Sequence, residues 1–110
     1  MNFEIILHRN FEKEYKPLAK KYPSLKQDIQ NIVNDIEKEL TLATDLGDGF
    51  KKIRINIKSK GKGSSGGGRM ITQETIIAVD NKRIIFASIF NKGDYENINI
   101  TVLKEILDSN

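Results

Sequence analysis

The chain has 110 residues, of which 38% are hydrophobic and 30% charged, and this size and composition suit one domain with one modest core. It contains no cysteine and one histidine, which argues against a disulfide framework, a thiolate metal site and a histidine metal cluster. No apolar run approaches the roughly 18 residues of a membrane span, and the N-terminus lacks a signal-peptide pattern. We therefore expect a single cytoplasmic domain over residues 1–110, with no membrane segment and no metal or other cofactor.

In chain order, the first elements are a short strand and two helices. Residues 3–8, "FEIILH", are typical of a strand, and apolar residues at helical spacing follow until Pro23. Ser24 with Gln27 forms a capping-box pattern that opens a second helix. Its apolar face continues through Leu25, Ile29, Ile32, Val33, Ile36 and Leu40. The short connection between the two helices predicts a helical hairpin.

The second half of the chain changes to the period of a strand. After a loop over residues 44–49, one face carries Ile53, Ile55 and Ile57, and the other carries Lys52, Arg54, Asn56 and Lys58. Residues 69–79 and 83–90 predict two further strands joined by a tight turn, and Asn99 is placed to cap a last helix.

This order of elements predicts an α+β fold. It consists of an N-terminal strand, a helical hairpin, a three-stranded and mainly antiparallel continuation of the sheet, and a short C-terminal helix. We expect the helices to lie on one face of the sheet, with the isoleucine face of the basic strand packed against the hairpin.

The positive charge is concentrated in one quarter of the chain. Residues 49–73 carry seven basic side chains and no acidic one, whereas the segments before and after each carry a net charge of −2. A solvated surface usually mixes the two signs. The basic segment therefore indicates a polyanionic partner such as nucleic acid, with a merely solvated hairpin tip as the plainer alternative.

A glycine-rich stretch lies within this segment. Residues 61–66, "GKGSSG", match the glycine spacing of a dinucleotide-binding loop, but no helical period follows them. A nucleotide cofactor is therefore not predicted from this motif.

Three stretches of the chain together resemble the RelE/ParE toxin superfamily, particularly its RelE- and HigB-type members. They are residues 15–40, residues 44–72 and residues 84–98, and the most specific similarities are "GGGRMI" after the basic strand and "FNKGDYENI" near the C-terminus. The resemblance implies a microbial-RNase-like fold and a toxin of a type II toxin–antitoxin pair. RelE-like members cut mRNA in the ribosomal A site without a metal, whereas ParE-like members poison DNA gyrase.

RNA cleavage by the 2′-hydroxyl needs a proton acceptor, positive charge around the phosphorane and a proton donor for the leaving oxygen. His8 is the single histidine and lies at a strand boundary, so this work falls to lysine, arginine or tyrosine. Arg69 can hold two phosphate oxygens at once, and it matches the family's catalytic arginine. The predicted catalytic residues are Lys58, Lys60, Arg69, Lys92 and Tyr95, and the predicted RNA-binding residues are Lys52, Arg54 and Lys62.

Several of these predictions have alternatives. Lys58 and Lys60 share strand parity with Arg54, so they are expected to extend the basic face, although they could simply keep an exposed strand soluble. Tyr95 could stack on a base or pack the last helix onto the sheet. The family's aromatic residue after the motif arginine is replaced here by Thr72 and Gln73, which removes base stacking at that point.

The resemblance leaves more than one function open. The main hypothesis is a ribosome-dependent mRNA endoribonuclease that inhibits translation. The alternatives are a ParE-like gyrase inhibitor, a catalytically inactive relative that still binds its antitoxin, and a plain nucleic-acid-binding module. The expected partners are mRNA on the ribosome and a cognate antitoxin, whose acidic, partly disordered segment would cover the face over residues 58–69.

Overall fold

The computed structural model describes residues 2–61, 66–94 and 99–108 and arranges them around a five-stranded sheet. The strands are β1 (Asn2–Leu7), β2 (Thr44–Gly47), β3 (Phe50–Ile55), β4 (Gly68–Ala78) and β5 (Asn81–Asn91). The helices are α1 (Arg9–Lys21), α2 (Leu25–Asn34), α3 (Ile36–Leu42) and α4 (Ile100–Asp108), and a 3-10 turn spans Lys58–Lys60. The strand order is β1-β5-β4-β3-β2, with β1 parallel to β5 and the other pairs antiparallel. The predicted α+β fold is confirmed.

Side chains next to the first and last helices account for where these helices begin. His8 caps α1, because its Nδ1 atom accepts a hydrogen bond from the Asn10 amide at 3.0 Å. The predicted cap of α4 is also confirmed, since Asn99 Oδ1 accepts from the Thr101 amide at 2.9 Å. Among the described residues, no helix has the length and apolar character needed to cross a membrane.

The second predicted helix is in fact two helices. The chain leaves helical geometry at Asp35, with φ −126° and ψ 33°, so α2 and α3 are separate. Asparagine and aspartate compete for backbone hydrogen bonds and favour such breaks, which accounts for the interruption at Asn34 and Asp35. The capping-box prediction was also wrong. The Ser24 side chain makes no cap bond, and Gln27 donates to Asn31 instead.

The predicted loop over residues 44–49 contains β2, an edge strand that pairs with β3. Its register places Thr44 opposite Lys52 and Gly47 opposite Phe50. Gly49 has a φ of +83°, a left-handed conformation that favours glycine in the turn between the two strands. A strand of four mostly polar residues that ends in glycine has too little alternation to be distinguished from a loop by its sequence pattern. The predicted number of strands was therefore one too low.

Helices cover both faces of the sheet, which corrects the expectation of one covered face. On one side, Ile53, Met70 and Ile84 form a large core with α1, α2 and α3. On the other side, α4 packs through Leu103 onto a smaller cluster of Phe50, Ile71 and Phe90. Because successive strand residues point to opposite faces, adjacent apolar residues in β4 and β5 indicate strands buried on both sides.

Candidate functional site

Arg54 and Arg69 lie directly opposite each other on β3 and β4, on the face of the sheet that α4 also contacts. Arg54 is exposed and Arg69 is half-buried, with its Nη1 atom donating to the Gly68 carbonyl at 2.8 Å. Burial, and then the positive charge of Arg54, lower the pKa of the Arg69 guanidinium from its ordinary value. Since arginine stays protonated in proteins, the result is a concentrated positive charge that favours an anion.

The glycine before Arg69 has a packing reason. A Cβ atom on Gly68 would lie 3.1 Å from the Phe90 carbonyl oxygen and 3.1 Å from Cδ1 of Ile57. Both distances are tighter than ordinary van der Waals contact. The absence of a side chain therefore lets β4 begin close against β5, and this start of the strand positions Arg69.

Lys60 is held by three groups near the ends of β4, β5 and α1. Its Nζ atom donates to the Gly67 carbonyl at 3.1 Å and to Asn91 Oδ1 at 3.4 Å. The same nitrogen lies 5.8 Å from the centre of the Tyr22 ring, within the range of a cation–π interaction. Lys60 is thus a half-buried cation in a defined position.

The prediction that Lys58 and Lys60 extend the basic face of β3 was wrong. The strand ends at Ile55, and the Lys58–Lys60 turn follows. Two backbone amides of this turn donate hydrogen bonds, one to a side chain of α2 and one to the residue that precedes α2. Lys58 N–H donates to Asp28 Oδ2 at 3.2 Å, and Ser59 N–H donates to Ser24 Oγ at 2.8 Å. Strand parity no longer applies once the chain turns.

Lys92 meets Lys60 at a shared carbonyl. The backbone amide of Lys92 donates to the Gly67 oxygen at 3.1 Å, and this oxygen also accepts from the Lys60 amine. The Lys92 side chain is exposed. The Lys60 side chain and the Lys92 backbone therefore bond to the same carbonyl, directly before the strand that carries Arg69.

Lys52, Arg54 and Lys58 line a groove of about 740 Å³ between β3 and the helices α2 and α3. The groove is not uniformly basic, because its lining also includes carboxylates from the helices. These are Asp28, Asp35 and Glu39. Arg54 therefore borders both this groove of mixed charge and the Arg54–Arg69 pair.

Two predicted residues, Lys62 and Tyr95, lie outside the described residues, and their roles stay predictions. Tyr22 and Asn91, which contact Lys60, were not predicted from the sequence. A tyrosine at the end of an amphipathic helix and an asparagine beside Lys92 were the available signals. Within the described residues, no group of three or more histidine, cysteine, aspartate or glutamate side chains is arranged to hold a metal ion.

Comparison with protein-family profiles matches residues 5–108 to the family described as the RelE toxin of the RelE / RelB toxin-antitoxin system. The match covers nearly the whole chain, so this chain belongs to the RelE toxin family. It is a toxin of a toxin–antitoxin system, and the family implies an antitoxin partner. No curated protein sequence matches the chain.

Proposed function

We propose that this toxin is a ribosome-dependent mRNA endoribonuclease that inhibits translation and works without a metal ion. The observation that carries the proposal is the Arg54–Arg69 pair, two guanidinium groups in directly opposed strand positions. Like charges directly opposite each other destabilise a sheet. A phosphate placed against the pair would reverse this effect, because it would turn the repulsion into two charge-assisted attractions.

The chemistry that suits such a site is transfer within the RNA itself. The 2′-oxygen bonds to the adjacent phosphorus while its proton passes to an acceptor. The bond from phosphorus to the 5′-oxygen then breaks, and a donor gives that oxygen a proton. The products are a 2′,3′-cyclic phosphate and a 5′-hydroxyl end, and the protein supplies proton transfer and stabilisation of the phosphorane charge.

We assign the charge stabilisation to Arg69, whose planar guanidinium can hold two phosphate oxygens. Lys60, whose amine bonds to the Gly67 carbonyl, and Lys92, whose backbone amide bonds to the same oxygen, are proposed to add positive charge and to protonate the 5′-oxygen. Lys58 and Tyr95 stay the candidates for the proton acceptor. Lys52, Arg54 and Lys62 are proposed to bind the RNA backbone on either side of the cleaved bond.

We further propose that the antitoxin silences the toxin with an acidic segment that covers the basic surface. This segment would neutralise the Arg54–Arg69 pair and exclude the RNA phosphate at the same time. A purified toxin–antitoxin complex in which Lys58, Lys60 and Arg69 stay as accessible to solvent as in the free toxin would contradict direct occlusion.

The test of the proposed function is a map of RNA 5′ ends after induction of the toxin in cells, with the Arg69→Ala variant as the matched control. We expect new 5′-hydroxyl ends at a fixed position within codons of translated mRNA, and far fewer with the variant. Cuts that ignore the reading frame would contradict ribosome dependence. DNA breaks without RNA cuts would indicate a gyrase inhibitor, and growth inhibition with neither would exclude both activities.

A further inference from the structure

We infer that Ser24 and Asp28 form a clamp that positions the Lys58–Lys60 turn, and through it the Lys60 ammonium, for the reaction. The inference rests on the proposed function. Neither residue is assigned a contact with RNA. They are positioning residues that act through the backbone of the turn.

The clamp is a connected set of hydrogen bonds that joins the start of α2 to a turn 30 to 35 positions later in the chain. Asp28 Oδ2 accepts from the Ser24 hydroxyl at 2.7 Å and from the Lys58 amide at 3.2 Å. Ser24 Oγ in turn accepts from the Ser59 amide at 2.8 Å, and the two serine oxygens lie 2.9 Å apart. Two consecutive backbone amides of the turn are therefore held by side chains from the start of α2.

The burial of Asp28 supports a role beyond stability. Its side chain is 4% exposed, and Oδ1 is buried without a hydrogen-bond partner among the described residues. A buried carboxylate oxygen without a partner lowers stability. An exposed aspartate in the first turn would stabilise α2 without this penalty. The burial of Asp28 is explained if its carboxylate is needed to accept the hydrogen bond from the Lys58 amide.

The turn transmits the position of its amides to Lys60. It is closed by its own backbone bonds, from Lys60 N–H to the Ile57 carbonyl at 2.9 Å and from Gly61 N–H to the Lys58 carbonyl at 3.1 Å. Three residues closed in this way move together. Loss of the clamp therefore shifts the Lys60 amine away from Gly67 and Asn91, and a misplacement of about 1 Å can slow a reaction by about 10²-fold.

The first measurement is amide hydrogen exchange in the full-length toxin. In Asp28→Ala and Ser24→Ala we expect exchange at the Lys58 and Ser59 amides to rise by about 5- to 30-fold, because one or two hydrogen bonds that hold these amides are lost. Asp35→Ala is the matched control. Asp35 lines the same groove, but its side chain is 59% exposed and pairs with Lys38 at 4.0 Å. Unchanged exchange in the clamp variants would overturn the inference.

The second measurement is the RNA cleavage rate at saturating ribosomes. We expect Asp28→Ala to slow cleavage by about 10- to 100-fold with ribosome binding nearly unchanged, because only the reacting geometry is altered. Asp28→Asn should recover most of the rate, since its amide oxygen can accept the same two bonds. A thermal melt of each variant identifies any that fail to fold. If the alanine variant fails to fold, the asparagine variant still tests the inference.

A double-mutant cycle separates positioning from general support of the fold. In a Lys60→Ala background, Asp28→Ala should slow cleavage little further, because the group that it positions is already absent. Equal losses in both backgrounds would overturn the inference. If the wild-type toxin inhibits growth but cuts no RNA, the proposed function fails. The same double-mutant cycle, with growth inhibition as the measured quantity, then tests whether the clamp positions Lys60.

Discussion

The two parts of the basic surface are positioned by different forces. Arg54 and Arg69 lie on paired strands, where the backbone register sets their places. Lys60 lies on a turn that two side chains, Ser24 and Asp28, hold against α2. A single side-chain substitution can therefore move Lys60, whereas the backbone of Arg69 moves only if the strands themselves do.

The surroundings of these cations also differ. Lys60 donates to two neutral oxygens and lies near the face of an aromatic ring. Arg69 faces Arg54, and its pKa is lowered by burial and by that neighbour. A phosphate bound at Arg69 would meet a second guanidinium in the opposed strand position, and the planar Arg69 fork can hold two of its oxygens. We expect the largest loss of activity at Arg69.

The first prediction tests this ranking with Arg69→Ala. Cleavage on the ribosome should slow by about 10²- to 10³-fold, which is the range for one lost electrostatic donor in a transition state. Ribosome binding should change much less, because the other cations of residues 49–73 remain. Arg69→Lys should restore only part of the rate, since lysine keeps the charge and loses the two-point geometry.

The control for this prediction is Lys16→Ala, which removes an exposed cation from α1, outside the basic segment. It should leave cleavage unchanged. A circular dichroism melt of Arg69→Ala shows whether the variant is folded at the assay temperature. Normal cleavage by the folded variant would refute the catalytic assignment, and a loss explained by unfolding would make Arg69 a structural residue.

The elements with a long and regular pattern were predictable from the sequence. The alternation around Ile53 and Ile55, the two long strands that follow and the cap at Asn99 all depend on neighbours within four residues. Such local patterns are visible in one chain without knowledge of the fold. Arg69 was singled out by its place after a glycine run and by the family resemblance, and its catalytic role stays a prediction.

The features that were missed depend on contacts between distant residues. Ser24 was interpreted as a helix cap, because the residue that it contacts, Ser59, is 35 positions away. The same bonds turn the chain after β3 and invalidate the strand parity of Lys58 and Lys60. The covering of the second face by α4 likewise depends on where Leu103 docks, and no local period encodes this.

The second prediction compares two glycines with a positive φ, one in each region. Gly49 has a φ of +83°, and a Cβ there would lie 2.9 Å from the Glu74 carbonyl oxygen. Gly61 has a φ of +74°, with no described atom within 4 Å of its Cβ position. Gly49→Ala should therefore lower the free energy of unfolding by about 3 kcal/mol, and Gly61→Ala by about 1 kcal/mol.

When both variants are folded, Gly61→Ala should lose more cleavage activity than Gly49→Ala. Gly61 ends the Lys58–Lys60 turn, so its replacement disturbs Lys60 directly, whereas Gly49 lies in the turn between β2 and β3. Urea unfolding gives the stabilities, and cleavage assays well below each midpoint give the rates. Equal stability losses would show that the close approach to Glu74 is relieved by a backbone shift.

The last and smallest effects concern the salt dependence of RNA binding. If the surface contacts about four phosphates of a single strand, a plot of log affinity against log salt should have a slope of about −3. Removing one contact should make the slope less steep by about 0.7. We expect this change for Arg54→Gln and Lys52→Gln, and the same for Lys62→Gln if that residue binds a phosphate as predicted.

Lys60→Gln should change the slope less than Arg54→Gln, because the Lys60 amine already donates to Gly67 and Asn91. Lys16→Gln on α1 should leave the slope unaltered. Equal changes for Lys60→Gln and Arg54→Gln would mean that RNA binding releases Lys60 from its acceptors, and the contrast drawn between the strand pair and the turn would then be wrong.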